Sequence, residues 1–261
     1  MGVLDTFSLK GKVVLITGGA GLYGRQIVSA AAEAGARTYM AARHRDALEK
    51  LAEEHRASGH DVRAMQFDQG DEASVLDLRN AIVKEAGRID VLVNNAVLRP
   101  MKKGYRDEVS AFAESMRVNA TGLFCITRAI GDVMGDQGSG SIINIGSIQG
   151  MIGPDPTIYR GTTMSGFYPD YFYHKGGIIN FTRFIASYYG GKGVRCNCVS
   201  PGGFRTDDHP QAFVEAYSDR TFLGRLANST DLKGVIVFLG SDASVYVTGA
   251  NIPVDGGYTA K

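Results

Sequence analysis

Short apolar runs alternate with amphipathic stretches along the whole 261-residue chain. Lys12 to Thr17 (KVVLIT) is continuously apolar after its first residue, and Arg37 to Ala41, Val62 to Phe67, Ile89 to Val93, Ser141 to Ile145, Val194 to Val199 and Asn251 to Val254 are the other candidate strands. Helical patterns fill the intervals: Arg25 to Ala34, Asp46 to Ser58, about Glu72 to Ala86, about Glu108 to Met134, the stretch through Tyr171, Ile178, Phe181 and Ile185, and Leu232 to Leu239. Strands alternating with helices at this spacing predict βαβ units and a parallel sheet. The expected fold is α/β: one domain over 1–261, a doubly wound parallel sheet of about seven strands with helices on both faces. No internal repeat or separating linker interrupts it.

In such sheets ligands bind beyond the carboxyl ends of the strands. The first strand ends in Gly18-Gly19-Ala20-Gly21-Leu22-Tyr23-Gly24, directly before a helix. Glycines there let backbone amides approach a pyrophosphate, and the helix N-terminus stabilises its charge; a tight turn without a ligand is the plainer alternative. The second strand is followed by Arg43-His44-Arg45, with no acid before Asp46. An acid in this region suits a free ribose 2′-hydroxyl and an arginine suits a 2′-phosphate, so NADP(H) is favoured, with Arg43 as the phosphate contact and NAD(H) still open. The competing reading makes Arg43, His44 and Arg45 the solvated start of a helix. Asp68 and Asn95 fall at the next two strand ends and Ser147 just past a later one. That puts several polar or glycine positions on one edge of the sheet.

Tyr171 and Lys175 stand four apart in a helical pattern, so they share a face and the ammonium favours the phenolate. A free tyrosine titrates near ~10, too high for ready proton exchange at neutral pH; a cation beside it makes Tyr171 a candidate general acid/base. The preceding stretch, Gly150 to Asp170, has three prolines, four glycines and no period. A long irregular connection inside a compact domain is usually either a functional loop or disordered. Asn119 lies inside a predicted helix, where asparagine is unfavourable unless its side chain has a specific partner.

Composition narrows the function classes. With 44% hydrophobic and 21% charged residues the chain can bury a large core, and a net charge of +1 with scattered basic residues gives no footprint for nucleic acid. No apolar stretch reaches membrane-spanning length and the first residues lack a signal pattern, so a soluble, cytoplasmic protein without a membrane partner is expected. Cys125, Cys196 and Cys198 are too few for a disulfide framework, and no ligand set for a metal accompanies them.

Taken in order, Thr17-Gly18 through Gly24, Asp68, Asn94-Asn95-Ala96, Asn119, Ser147, Tyr171 with Lys175, Pro201-Gly202 and Val254-Asp255-Gly256-Gly257 resemble the short-chain dehydrogenase/reductase family over nearly the whole chain. The resemblance implies a Rossmann-like fold and a catalytic tetrad. Tyr171 would exchange a proton with the substrate oxygen, Ser147 would position that oxygen, Lys175 would lower the phenol pKa and bind the nicotinamide ribose, and Asn119 would hold a relay water. Cofactor contacts would come from Gly18, Gly21, Leu22, Tyr23, Arg43, Asp68, Gln69, Asn95, Ala96, Tyr171, Lys175, Pro201, Gly202 and Phe204. A homotetramer or homodimer through the helices around 108–134 and 171–190 is also implied.

Three positions depart from the family pattern. Leu22 changes the glycine spacing to TGxxGxxG, which is similar to the extended branch of the family, although the length and the VDGG ending resemble the shorter type. Ser147 and Tyr171 are 24 positions apart, about twice the usual separation. Residues 153–168 are therefore expected to loop out over the pocket, with Gln149, Tyr159, Arg160 and Thr162 available to a substrate, a surface or interface excursion being the equal alternative, and 204–220 to form a mobile cover. Gly146 stands where the family commonly has serine, a change expected to be silent.

The reading this supports is an NADP(H)-preferring oxidoreductase interconverting a secondary alcohol and a ketone on a small polar substrate: a sugar, polyol or sugar acid. Two alternatives remain. One is a 3-oxoacyl thioester reductase, with Arg99, Lys102 and Lys103 at the pocket mouth. The other is a non-catalytic NADP(H)-binding sensor or scaffold, against which the retention of Tyr171 and Lys175 speaks.

Overall fold

The structure, a computed structural model, describes residues 2–261. Seven strands form one parallel sheet: β1 (Val13–Thr17), β2 (Arg37–Ala42), β3 (Val62–Gln66), β4 (Val91–Asn94), β5 (Gly140–Ile145), β6 (Val194–Pro201) and β7 (Asn251–Val254). Their spatial order is β3-β2-β1-β4-β5-β6-β7. The order reverses between β1 and β4, which pair through Val14 with Val91 and Ile16 with Val93. A crevice opens at such a reversal because successive connections leave on opposite faces.

The helices are α1 (Leu22–Glu33), α2 (Arg45–Ala57), α3 (Glu72–Ala86), α4 (Val109–Met116), α5 (Leu123–Gln137), α6 (Pro169–Gly190), α7 (Gln211–Ser218) and α8 (Lys233–Gly240). Strand pleating explains why β1 is apolar throughout. Val14 and Ile16 pack on one face with Ile27 and Val28 of α1, Leu48 of α2 and Ile236 of α8. Val13 and Leu15 pack on the other with Val75 of α3, Ile126 and Ile130 of α5 and Ile185 of α6. Each such side chain fully buried contributes about 1.5–3 kcal/mol. Local signals close the elements: Asp71 accepts from the Ala73 amide at 3.0 Å to cap α3, and Gly87 ends it at φ 75°.

Two boundaries differ from the sequence expectation. α1 begins at Leu22 rather than Arg25, because Gly21 takes the N-cap with extended backbone. The helix expected over about 108–134 is interrupted. Arg117–Gly122 forms a π-helical turn between α4 and α5, a distortion that periodicity does not register because hydrophobic spacing continues through it. The glycine at 122 permits it: a Cβ there would lie 2.2 Å from the Gln69 carbonyl oxygen.

A buried polar chain fixes the middle of the sheet. Asn94 donates to Thr127 Oγ1 at 3.0 Å and to Asn144 Oδ1 at 2.9 Å, and Asn144 donates to Thr182 Oγ1 at 2.9 Å. β4, β5, α5 and α6 are thereby held in one register. Cys125, Cys196 and Cys198 are buried free thiols. Among the described residues no helix is long and apolar enough to cross a membrane.

Candidate active site

The end of β1 is built for close approach. Gly18 has φ 69°, and a Cβ there would lie 2.8 Å from Ala96 Cα. Thr17 Oγ1 accepts from the amides of Asn95 at 3.1 Å and Ala96 at 3.0 Å, while Asn95 Nδ2 donates to the carbonyls of Thr17 at 3.1 Å and Gly18 at 2.9 Å. Asn95 thus clamps the glycine turn with its side-chain amide. Gly21 is different: a Cβ there would meet only the Gly18 oxygen, at 3.4 Å. Packing does not demand glycine at 21, so the bare backbone is left for something outside the chain. The first α1 bond runs from the Arg25 amide to the Gly21 carbonyl at 3.0 Å. The amides of Leu22, Tyr23 and Gly24 therefore head the helix, the arrangement that accepts a phosphate. The residues present fit a dinucleotide.

The remaining expected cofactor residues flank this turn. Arg43 follows β2 and is exposed, its carbonyl accepting from Gln66 Nε2 at 3.2 Å, and the first acid of α2 is Asp46. Asp68 Oδ1 accepts from the Gly70 amide at 2.8 Å. Gln69 is buried and donates to the Val118 carbonyl in the π-helical turn at 3.0 Å, so its side chain braces the helix rather than facing the cleft. Tyr23 reaches across: its hydroxyl donates to the Gly202 carbonyl at 2.7 Å, and its ring meets Phe204 edge-on at 5.4 Å. Gly202 in turn donates to the Val254 carbonyl at 3.0 Å, just beyond the paired Pro201 and Val254.

The four proposed catalytic residues stand on β5, α6 and the π-helical turn. Ser147 is buried at the end of β5, and its hydroxyl accepts from the Gln149 amide at 3.1 Å, leaving its own proton free to donate. Lys175 is buried, with Nζ donating to the Ile145 carbonyl at 2.5 Å and lying 5.6 Å from the Tyr171 ring centroid. Burial raises the Tyr171 phenol, yet the charges of Lys175 and Arg99 and the adjacent Ser147 hydroxyl outweigh it and hold the phenol below its ordinary value. Burial lowers Lys175, partly opposed by Tyr171. Asn119 is committed to the chain: Oδ1 accepts from the Leu98 amide at 2.8 Å, and Nδ2 donates to the Leu98 carbonyl at 2.7 Å and to Ser115 Oγ at 2.9 Å. Its side chain fixes the loop after β4, and both of its N–H groups are used in doing so.

Arg99, which the sequence reading placed at the pocket mouth only for a thioester substrate, and His174, which it did not single out, complete the site. The Arg99 guanidinium carbon lies 4.3 Å from the Tyr171 ring centroid, so a second cation acts on the phenol. His174 packs edge-on against Tyr171 at 5.2 Å with Nε2 buried and unpartnered; burial, then Lys175 and Arg99, lower it to about 3. Arg99 had a sequence signal, a charged residue shortly after Asn94-Asn95-Ala96, whereas no local pattern places it over a tyrosine more than 70 positions later.

The long connection does bring Ser147 and Tyr171 together. Within 153–168, Ile158 is buried with Ile148, Phe213 and Tyr217. Tyr159 stacks on Phe213 at 5.5 Å, and a Cβ at Gly166 would strike its hydroxyl. Asp155 pairs with Arg220, two residues past α7, at 2.8 Å, so the connection is tied to the 204–220 segment. Thr162 Oγ1 bonds the Tyr159 carbonyl at 2.9 Å, while Arg160 remains exposed. Tyr159 and Thr162 thus serve the loop's own packing. Gly146 is not silent: a Cβ there would lie 2.7 Å from Ser200 Oγ and 2.8 Å from Cys198 Sγ. The larger neighbours on β6 require the glycine.

Comparison with known proteins agrees with this geometry. The family model described as enoyl-(acyl carrier protein) reductase matches residues 21–259. Galactitol 2-dehydrogenase (L-tagatose-forming) of Cereibacter sphaeroides is 31% identical over 259 residues, 97% of each chain. The 3-oxoacyl-(acyl-carrier-protein) reductase FabG of Thermotoga maritima is 32% identical over 253 residues, 95% of this chain and 98% of that one. A gluconate 5-dehydrogenase from Burkholderia cenocepacia, solved in complex with NADP and tartrate, superposes over all of both chains with a TM-score of 0.89 and 30% identity.

Proposed function

The chain belongs to the short-chain dehydrogenase/reductase family, and from that premise we propose that it is an NADP(H)-preferring enzyme that interconverts a secondary alcohol and a ketone on a sugar, polyol or sugar acid. The observation that carries this reading is the Tyr171 phenol, held below its ordinary value by two cations beside the Ser147 hydroxyl. In oxidation Tyr171 takes the proton of the substrate hydroxyl; in reduction it returns that proton to the carbonyl oxygen. Ser147 donates to the same oxygen and fixes its distance from the phenol. Lys175, anchored on Ile145, keeps a positive charge beside the phenolate. A bound nicotinamide supplies the hydride chemistry.

The preference for NADP(H) rests on exposed Arg43 after β2 and the lack of an acid before Asp46. The sugar-type substrate is supported by polar and cationic groups around Tyr171 and by the names of the galactitol and gluconate relatives. The thioester alternative draws on exposed Lys102 and Lys103 and on the FabG relative. Assembly through α5 and α6 as a homodimer or homotetramer is supported by an aromatic ridge. Phe124, Phe181, Phe184 and Tyr188 follow one another at 6.1–6.5 Å, with Phe124, Phe184 and Tyr188 exposed. Buried, unpaired cysteines suit the cytoplasm.

The test follows nicotinamide absorbance with NADP and NAD separately, across polyols, sugar acids and 3-hydroxyacyl thioesters, for wild type and Tyr171→Phe. Turnover with NADP on a polyol or sugar acid, lost in the variant, is expected. Preference for NAD removes the Arg43 argument, and turnover of thioesters alone selects the alternative.

A further inference from the structure

Arg99 is a cation without a protein counter-ion at the mouth of the site. It stands in the loop after β4, which Asn119 fixes at Leu98 and Asp107 braces through the amides of Lys102 at 2.5 Å and Lys103 at 2.9 Å. Its guanidinium carbon lies 4.3 Å from the Tyr171 ring centroid, while the residue as a whole is exposed. Among the described residues no carboxylate lies within ion-pair distance of it; most other arginines near acids are paired, as Arg220 is with Asp155 and Arg225 with Asp231. Asp170, on the same helix as Tyr171, is buried and makes no pair with it. The groups around it are Lys175, His174, Tyr159 and Tyr171, with Asp170 next to Tyr171 and Asp155, itself paired with Arg220, beyond Tyr159; no carboxylate forms an ion pair with Arg99 or Lys175.

One edge of the guanidinium reaches the Tyr171 phenol, and its remaining N–H donors bond no carboxylate of the chain; a planar fork of this kind can grip a carboxylate in two parallel bonds. Placing it beside a buried lysine costs electrostatic free energy that a bound anion offsets.

We propose that Arg99 is the substrate-carboxylate anchor of this enzyme, and that the preferred substrates within the class inferred above are hydroxy acids. The proposal rests on the oxidoreductase reading of the Tyr171 site. With the guanidinium carbon 4.3 Å from the Tyr171 ring centroid, a carbinol oxygen at the phenol and a carboxylate at the guanidinium must be joined by one short carbon span. Short aldonates meet that span. Alditols of the same length reach the phenol and leave Arg99 without an anion.

The experiment compares kcat/KM for C4 to C6 aldonates, alditols of matched chain length and a 3-hydroxyacyl thioester carrying phosphopantetheine, in wild type, Arg99→Gln and Arg99→Lys. Substrates share the phenol, so any effect of Arg99 on its pKa cancels in the acid-to-alditol ratio. Wild type is expected to favour the acid. Arg99→Gln is expected to lower the aldonate-to-alditol ratio of kcat/KM by about 10- to 100-fold, mainly through the KM for aldonates, on top of whatever loss the two substrates share through the phenol. Arg99→Lys should recover part of the loss, which a purely structural defect would not allow. Equal loss on acid and alditol, or a wild type indifferent to the carboxylate, overturns the anchor while the oxidoreductase reading stands. Loss confined to the thioester overturns it in favour of a phosphate contact. Turnover of none of these substrates overturns both.

Discussion

The Tyr23 hydroxyl donates to the Gly202 carbonyl at 2.7 Å, joining the first helix of the chain to the loop after β6. This bond spans the cleft in which the glycine turn, Asn95 and Phe204 lie, and burial pushes the phenol up so that it stays protonated as a donor. Leu22 beside it is exposed. Tyr23, at a position that either glycine spacing leaves open, thus supplies a latch across the cleft.

Tyr23→Phe keeps the ring against Phe204 and removes the donor. We expect a loss of about 1 kcal/mol in stability and a rise of roughly 3- to 10-fold in the Kd for NADP(H). Fluorescence titration with the reduced dinucleotide reads the second effect. An unchanged Kd would reduce the latch to packing.

In the proposed mechanism alcohol oxidation uses the Tyr171 phenolate, so kcat/KM for that direction is expected to rise with pH through the phenol pKa. Lys175 and Arg99 stabilise the phenolate against burial; removing a cation raises the pKa and moves the limb to higher pH. For Arg99→Gln on an uncharged alditol the limb is expected to move to higher pH. Superimposable pH profiles for variant and wild type would contradict the electrostatic account.

His174 is lowered from the ordinary 6.5 to about 3, chiefly by burial. Its folded pKa lies below its unfolded one, so the unfolded chain binds the proton first. The stability this group contributes is complete above pH 6.5 and is lost as pH falls toward about 3, with a slope of up to about 1.4 kcal/mol per pH unit. His174→Met should flatten the denaturant midpoint against pH in that window. An unaltered slope would mean that the imidazole protonates in the folded state.

Gly146→Ser should destabilise the protein by about 1–3 kcal/mol, because its Cβ collides with Ser200 and Cys198. Adding Cys198→Ala removes one of the two collisions and should restore part of the loss. Thermal unfolding of the single and double variants gives the coupling; strict additivity would show that the contact with sulfur is not the cause.

Most of the site's chemistry was visible in residue types at strand ends. β1, Gly18, Asn95 and Ser147 fall where a buried apolar run stops, and alternation of strands and helices brings those stops to one edge. Lys175 could be paired with Tyr171 because four residues on a helix is a fixed spatial step. Gln69, Tyr159, Thr162 and Asn119 were less legible. Each was expected at cofactor, substrate or a relay water, and the structure adds a partner within the chain for each side chain: the π-helical turn, Phe213, the connection's own backbone and Leu98. Polarity in a loop announces that a side chain needs a partner without naming it.

Local chemistry written in the sequence determined the strands, the glycine turn and the tyrosine–lysine pair, since periodicity, backbone freedom and helical spacing act over a few residues. Tertiary structure decided what depends on segments far apart in the chain: Arg99 over Tyr171, Tyr23 on Gly202, and Asp155 on Arg220. Those contacts arise from the way the loops fold over one sheet edge, and no short-range pattern encodes which loop will meet which.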